Sequence, residues 1–344
     1  MAVPNDIHEA KNTLSRRLLG KNIRSLSTLQ TLSSTRSVTL LENIRTSTIH
    51  AVGVGRKIVN GKETSDLAVR LYVARKIPPS LLPKRALLPK SIEGIPTDVL
   101  ESPPAFISGA CTDNRKKRQR PLVAGISVAH EDVTAGTLAY FCRSTKKGDD
   151  PESVFILSNN HVFANVNVGK KGDAISQPGP VDGGTEQDDV ATLHRFVRIK
   201  LGGKSENAVD AAIGELLPDT KYQAKLCKIG KLKGVMSGTE GLTVCKHGRT
   251  TGYTEGKVTD ELYDALVGMR HEDPNAAALF TNQLRLEVVS PYQAIGLGGD
   301  SGSLVVAKKE KKAVGLYFAG PENGQYGIAN PIDRVLELLE VELL

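Results

Sequence analysis

The chain has 344 residues, of which 40% are hydrophobic, 24% charged and 4% aromatic, with a formal net charge of +7. That length is more than one core usually fills, which predicts two domains, and the mixture excludes a chain too polar to fold. The basic excess lies mostly in the first 60 residues and in RKKRQR at 115–120, and with so few rings to stack bases it reads as solvated charge, not as a nucleic-acid surface.

Residues 1–39 form a basic N-terminal segment. Its start, MAVPNDIHEAKNTLSRRLLGK, carries acids early and has no apolar run ending in small residues, so no secretory leader is expected. Asn12–Arg36, rich in Ser, Arg and Leu, mildly resembles an organellar transit peptide but reads better as a surface helix. No run approaches the roughly 20 apolar residues a membrane span needs, so no membrane partner is expected and the location expected is cytoplasmic. Residues 40–103 read as a small α+β module. It has strands at Ile49–Val59 and Leu67–Ala74 around an Asn60-Gly61 turn, a proline-punctuated helical or irregular piece in PPSLLPKRALLPKSI, and a third strand in GIPTDVLES. Residues 104–120 mix Pro, Gly, Asn and basic residues as a linker would.

From 121 to 344 short apolar runs recur: LVAGISV, GTLAYFCR, SVFILSNN, VATLHRFV, VDAAIGEL, GLTVCK, QLRLEVV, GSLVVA, AVGLYFAG and YGIANPI. Many short strands broken by glycine and proline make the class mainly β, a barrel or sandwich. PIDRVLELLEVELL closes the chain as an amphipathic helix with Pro331 near its first turn. Cys111, Cys142, Cys227 and Cys245 form no CxxC pair and have no histidine at ligand spacing, so reduced thiols are expected, with no metal and no cofactor.

GLGGDSGSLVV at 296–306 carries the strongest chemical signal. Glycines there let the backbone turn sharply, so that the amides of Gly299 and Ser301 can point into one small cavity that stabilises an oxyanion. An apolar strand follows where a phosphate-binding loop would open a helix, and GxSxG is broken at Ser303, so neither alternative fits. A serine hydroxyl needs a base. His161, with three residues between it and the apolar run VFIL, offers one, and an orienting acid must hold the imidazole in the correct tautomer. Asp210, expected inside the apolar strand VDAAIGEL, is a costly buried carboxylate that such a role explains. Asp188 and Asp189 compete for that role but lie in the polar run GGTEQDD. His8, His50, His130, His194, His247 and His271 read as structural or exposed.

The order His161, Asp210, Ser301, together with GTLAYFCR, FILSNNHV, VDAAIG, GRTTGYTEGKV, GGDSGSL and VGLYFAG in succession, resembles the trypsin/chymotrypsin superfamily of serine peptidases over residues 121–344. RPLVAGISVAH, TAGTL, ILSNNHVFANVN and QPGPVDGG are similar to the plant Narrow-leaf-type and bacterial trypsin-like proteins, which carry a small N-terminal α+β module. The resemblance implies a double six-stranded antiparallel β-barrel and an endopeptidase with His161 as base, Asp210 as orienting acid and Ser301 as nucleophile. It implies an oxyanion hole at Gly299 and Ser301, and a specificity pocket floored by Ile295 and walled by Leu316, Tyr317, Phe318, Ala319 and Ile328. No acid stands at that floor, so an apolar residue of small or medium size is expected before the cut bond. NNHV replaces the AAHC of secreted trypsins. The acid before the serine, Asp300, is expected to pair with an internal donor; the rival is activation by a cut within RKKRQR. The partners expected are a protein or peptide substrate and, through the module, a regulatory protein or further copies of the chain. The alternative is a catalytically silent scaffold of the same fold.

Overall fold

Short apolar runs punctuated by Gly and Pro become strands, and strands dominate the structure, a computed structural model that describes residues 3–19, 49–59, 61–73, 76–82, 87–102, 114–269 and 276–344. The chain divides into a smaller unit (Met1–Phe106, Lys200–Asn207 and Thr259–Gln283) and a larger one (Ile107–Ile199, Ala208–Val258 and Leu284–Leu344). The strands Gly252–Gly268 and Ala277–Val288 contribute residues to both.

In the smaller unit, Ile49–Val59 and Lys62–Val73 form a hairpin with Val52 opposite Leu71. Its second strand starts before the expected Leu67, because Lys62 and Glu63 pair with Val59 and Ile58 across a turn at Gly61, whose φ of 75° suits glycine. Ile95–Glu101 runs parallel to that strand, and the proline-rich piece holds one 3₁₀ turn, Pro79–Leu81. The helix Asn5–Leu18 packs Ile7, Ala10 and Leu14, at helical spacing, into a core with Val52, Val69, Leu71, Leu266 and Leu279. Lys11 on the same face is fully buried and ion-paired with Asp264.

In the larger unit, one sheet closes on itself. Tyr140–Ser144, Phe155–Ser158, Ala212–Leu216, Asp189–Phe196, Ala174–Ser176 and Ser127–His130 are neighbours in that order, and Ser127–His130 pairs with Gly136–Thr137. From Thr137 the chain runs straight into Tyr140–Ser144, with Leu138 N–H on Ile126 O at 3.0 Å and Ala139 N–H on Leu157 O at 2.8 Å. Counting 136–144 as one bent strand gives a closed six-strand barrel. Within an 11-stranded sheet, six strands are neighbours in the order Ala277–Val288, Tyr326–Pro331, Lys312–Ala319, Leu304–Ala307, Thr243–Gly248, Gly252–Gly268, and the first and last of these also pair. The architecture is mainly β, as expected, with a closed six-strand barrel.

The C-terminal helix is shorter than expected, Ile332–Leu339. Glu340 takes a left-handed φ of 49° and stops it, and Val341–Leu343 pairs antiparallel with Tyr140–Ser144. Burial of Val341 in the barrel core rewards that exchange of helix for strand. Among the described residues no helix is long and apolar enough to cross a membrane.

Candidate active site

Phe155–Ser158 and Ala212–Leu216 are adjacent strands, with Ser158 opposite Ala212. The chain leaving the first and the chain entering the second therefore meet at one end of the barrel, bringing together residues 49 apart in sequence. His161 lies on the short helix Asn160–Phe163. Its Nδ1–H donates to Asp210 Oδ2 at 2.5 Å, and its backbone N–H donates to Asp210 Oδ1 at 3.1 Å. A carboxylate only accepts, so this contact fixes the Nδ1–H tautomer and leaves the Nε2 lone pair free.

Asp210 is fully buried, but it precedes the strand Ala212–Leu216 where the sequence suggested a place inside it. Off the ladder, its own backbone is held by side chains: its N–H donates to Asn330 Oδ1 at 3.1 Å and its carbonyl accepts from Asn159 Nδ2 at 2.7 Å. Asn159 and Asn330 were missed in the sequence. The doublet SNNHV was the available signal, since two buried amides before a histidine need partners. The competing acids are engaged elsewhere. Asp188 accepts from Arg118 Nε at 2.9 Å, and Asp189 opens a strand, where burial and then Glu131, Glu186 and Asp188 push its carboxyl up.

Ser301 is tied to the strand end ahead of His161 by close backbone approach. A Cβ at Gly302 would collide with Ser158 Oγ and Thr137 O, and Ser301 O accepts from Thr137 N at 2.7 Å. The Ser301 hydroxyl itself donates to Phe318 O at 3.1 Å, while His161 Nε2 has no partner among the described residues. The structure thus joins His161 to Asp210 and leaves the Ser301 hydroxyl on a neighbouring carbonyl.

Gly299 has a φ of 84°, and its carbonyl accepts from Thr137 Oγ1 at 2.8 Å, while the Gly298 carbonyl accepts from Thr250 Oγ1. The N–H groups of Gly299 and Ser301 have no acceptor among the described residues. Thr137 and Thr250 therefore turn the carbonyls of this loop to themselves. Asp300, fully buried, accepts from the N–H groups of Leu297, Thr250 and Thr251 and lies 3.3 Å from Lys246 Nζ. Lys246 is fully buried on Thr243–Gly248; burial pushes its ammonium down and the Asp300 charge pushes it back up. Ile295 and Tyr317 share one buried cluster with Ala329, whereas Leu316 points into the other core, so adjacent residues of this strand serve opposite sides. Phe318, Ala319 and Ile328 are buried as well.

Burial pushes the thiols of Cys142 and Cys245 up to about 12 and about 11, and that of Cys227 upward, which leaves no activated thiolate among them. Cys111 lies outside the described residues. His130, Glu131 and Asp173 come within metal-ligand range of one another, but His130 Nε2 contacts Asp173 at 3.0 Å and Nδ1 accepts from Asp132 N at 3.0 Å, so neither ring nitrogen is open to an ion. His194 lies between Asp149 and Glu215, His50 bonds Ser102 O, and His271 is outside the described residues.

His247 is buried and bonds Gly125 O through Nδ1 at 3.0 Å. Burial pushes it down to about 4; the Gly125 bond opposes this, and Arg115, Lys246 and Lys228 add to it. The unfolded chain takes up this proton first as pH falls below about 6.5, so the folded state loses stability between there and about 4, by roughly 3 kcal/mol from this group. Urea unfolding across that window is expected to show a steeper loss for the wild type than for His247→Gln.

No family model and no curated protein matches the chain. Among solved structures it is similar to protease A of Thermobifida fusca, at 16% identity over 64% of this chain and 97% of that one, with a TM-score of 0.44. It is similar to the Nocardiopsis protease NAPase at 14% identity, 64% and 97% coverage and a TM-score of 0.45. A chymotrypsin of Cellulomonas bogoriensis is 15% identical, with 64% and 97% coverage and a TM-score of 0.42.

Proposed function

We propose that the protein is an intracellular serine endopeptidase that works through an acyl-enzyme on His161, Asp210 and Ser301. The observation that carries this reading is the buried His161–Asp210 pair, whose Nε2 has no partner among the described residues, together with Ser301 on a loop whose Gly299 and Ser301 amides have no acceptor among them.

Rotation about the Ser301 side chain moves Oγ from Phe318 O to His161 Nε2. Loose triad contacts of this kind are common before substrate binds. His161 then takes the hydroxyl proton while Oγ attacks the scissile carbonyl, and Asp210 stabilises the imidazolium. The oxyanion forms against the N–H groups of Gly299 and Ser301. His161 returns the proton to the leaving amine as the C–N bond breaks, and water repeats the sequence on the acyl-enzyme to release acid and regenerate Ser301.

With Leu316 turned into the other core, the apolar set Ile295, Tyr317, Phe318, Ala319 and Ile328 suits small or medium apolar residues before the cut bond. Lys246 as partner of Asp300 makes the site constitutive, so the uncut chain is active and RKKRQR is no activation site. In support, Arg118 and Arg120 of that run hydrogen-bond to Asp188. Residues 40–103 serve regulation or assembly.

A fluorophosphonate probe is expected to label Ser301 of the full-length chain on a gel and to leave Ser301→Ala unlabelled. The Ser301–Phe318 bond favours one rival, a silent scaffold in which the hydroxyl stays where it is. Absence of labelling in the wild type would establish that rival.

A further inference from the structure

Resting on the peptidase reading, we propose that Tyr317 fills the pocket meant for the side chain before the cut bond, so that the site accepts nothing larger than alanine or serine. Tyr317 is 1% exposed, and its ring lies where three glycines leave room. A Cβ at Gly296 would fall 2.6 Å from its Cζ and 2.8 Å from its hydroxyl oxygen. A Cβ at Gly320 would fall 2.7 Å from the same oxygen, and one at Gly327 would collide with Cε2.

These three positions belong to the segments that enclose the expected pocket. Gly296 follows the floor residue Ile295 on the loop to Ser301, and Gly327 precedes Ile328. Gly320 lies just beyond Phe318, whose carbonyl holds Ser301 Oγ. Glycines that elsewhere would open a deep pocket here make space for one phenol ring. Interiors pack too tightly for a second large side chain to share that space.

The hydroxyl adds a second, independent observation. It is buried and has no partner among the described residues. Phenylalanine would fill the same volume without stranding a polar group, and buried polar groups are rarely left unpaired. Burial and the nearby Asp300 charge push the phenol up, so it stays protonated and able to donate. A partner that arrives with the substrate completes it: the hydroxyl of a serine, or water beside an alanine methyl.

Peptidyl diphenyl phosphonates ending in Ala, Ser or Phe, with a plain fluorophosphonate as reference, test this on the full chain. The wild type is expected to react about 100-fold faster with the Ala and Ser probes than with Phe. Tyr317→Val is expected to gain about 10- to 100-fold toward Phe. Tyr317→Phe is expected to keep excluding the Phe probe while its rate with the Ser probe falls relative to the Ala probe. Equal wild-type rates for Ala and Phe, beside normal fluorophosphonate labelling, would overturn the proposal and leave the peptidase reading standing. No labelling by any reagent would remove both. Should Tyr317→Val fail to fold, the wild-type ranking decides alone, and an unchanged Ser-to-Ala ratio in Tyr317→Phe overturns the role of the hydroxyl.

Discussion

Ser301→Ala is expected to lower kcat/KM for peptide hydrolysis by about 10⁴- to 10⁶-fold, and Asp210→Asn by about 10⁴-fold, both without loss of the fold. The second variant discriminates more sharply. Asp210 uses Oδ1 for the His161 backbone N–H and Oδ2 for Nδ1–H. In asparagine the amide oxygen can keep the first contact, which places the NH₂ group against Nδ1. Nδ1 must then accept, the ring proton moves to Nε2, and the base can no longer take the proton of Ser301. Steric volume is unchanged at a fully buried position, so thermal unfolding is expected to shift little beside the loss of rate. A scaffold without catalysis predicts no rate to lose in either variant, and a wild-type-like rate in Asp210→Asn would remove Asp210 from the mechanism.

Much of this site was legible in the sequence because its residues stand at strand ends, where apolar runs stop abruptly at a polar side chain. VFIL leads into His161, VDAAIGEL carries Asp210 at its start, and GGDSG precedes a buried strand. That this region is a succession of short strands followed from the same runs. What stayed hidden depends on contacts distant in sequence. No local pattern announces that Thr259–Gln283 belongs to the smaller unit, since Gly252–Gly268 reads as one continuous strand. The C-terminal VEL continues a helical leucine pattern, and only a barrel edge at Tyr140–Ser144 makes it a strand. Asp210 lies outside its strand for a similar reason: Asn159, just past Phe155–Ser158, and Asn330, on Tyr326–Pro331, take over its backbone bonds. The close approach of Gly296, Gly320 and Gly327 to the Tyr317 ring was not legible, because the three glycines come from separate segments. Lys246 was legible in principle, as a charge inside TVCKHG where alternation points it inward. The argument that singled out Asp210, that a buried charge requires a partner, applies to it equally.

Lys246→Met is expected to cost about 3–5 kcal/mol of stability, the usual result of leaving one member of a buried pair alone. Asp300 keeps its hydrogen bonds from Leu297, Thr250 and Thr251, but these are dipoles and not a full opposing charge. The carboxylate then pulls on the loop Leu297–Ser301 in search of solvent, and that loop aligns the amides of Gly299 and Ser301. Loss of one oxyanion donor costs about 10²- to 10³-fold in rate, so the fluorophosphonate labelling rate is expected to fall by that order along with the stability. Lys246→Met combined with Asp300→Asn removes the stranded charge. Urea unfolding is expected to recover in part, whereas labelling stays slow, because the loop has lost the ion pair that anchors it. Full activity in the single variant would show that the loop needs no cation at Asp300, and the uncut chain would then have to owe its assembled site to the threonine contacts alone.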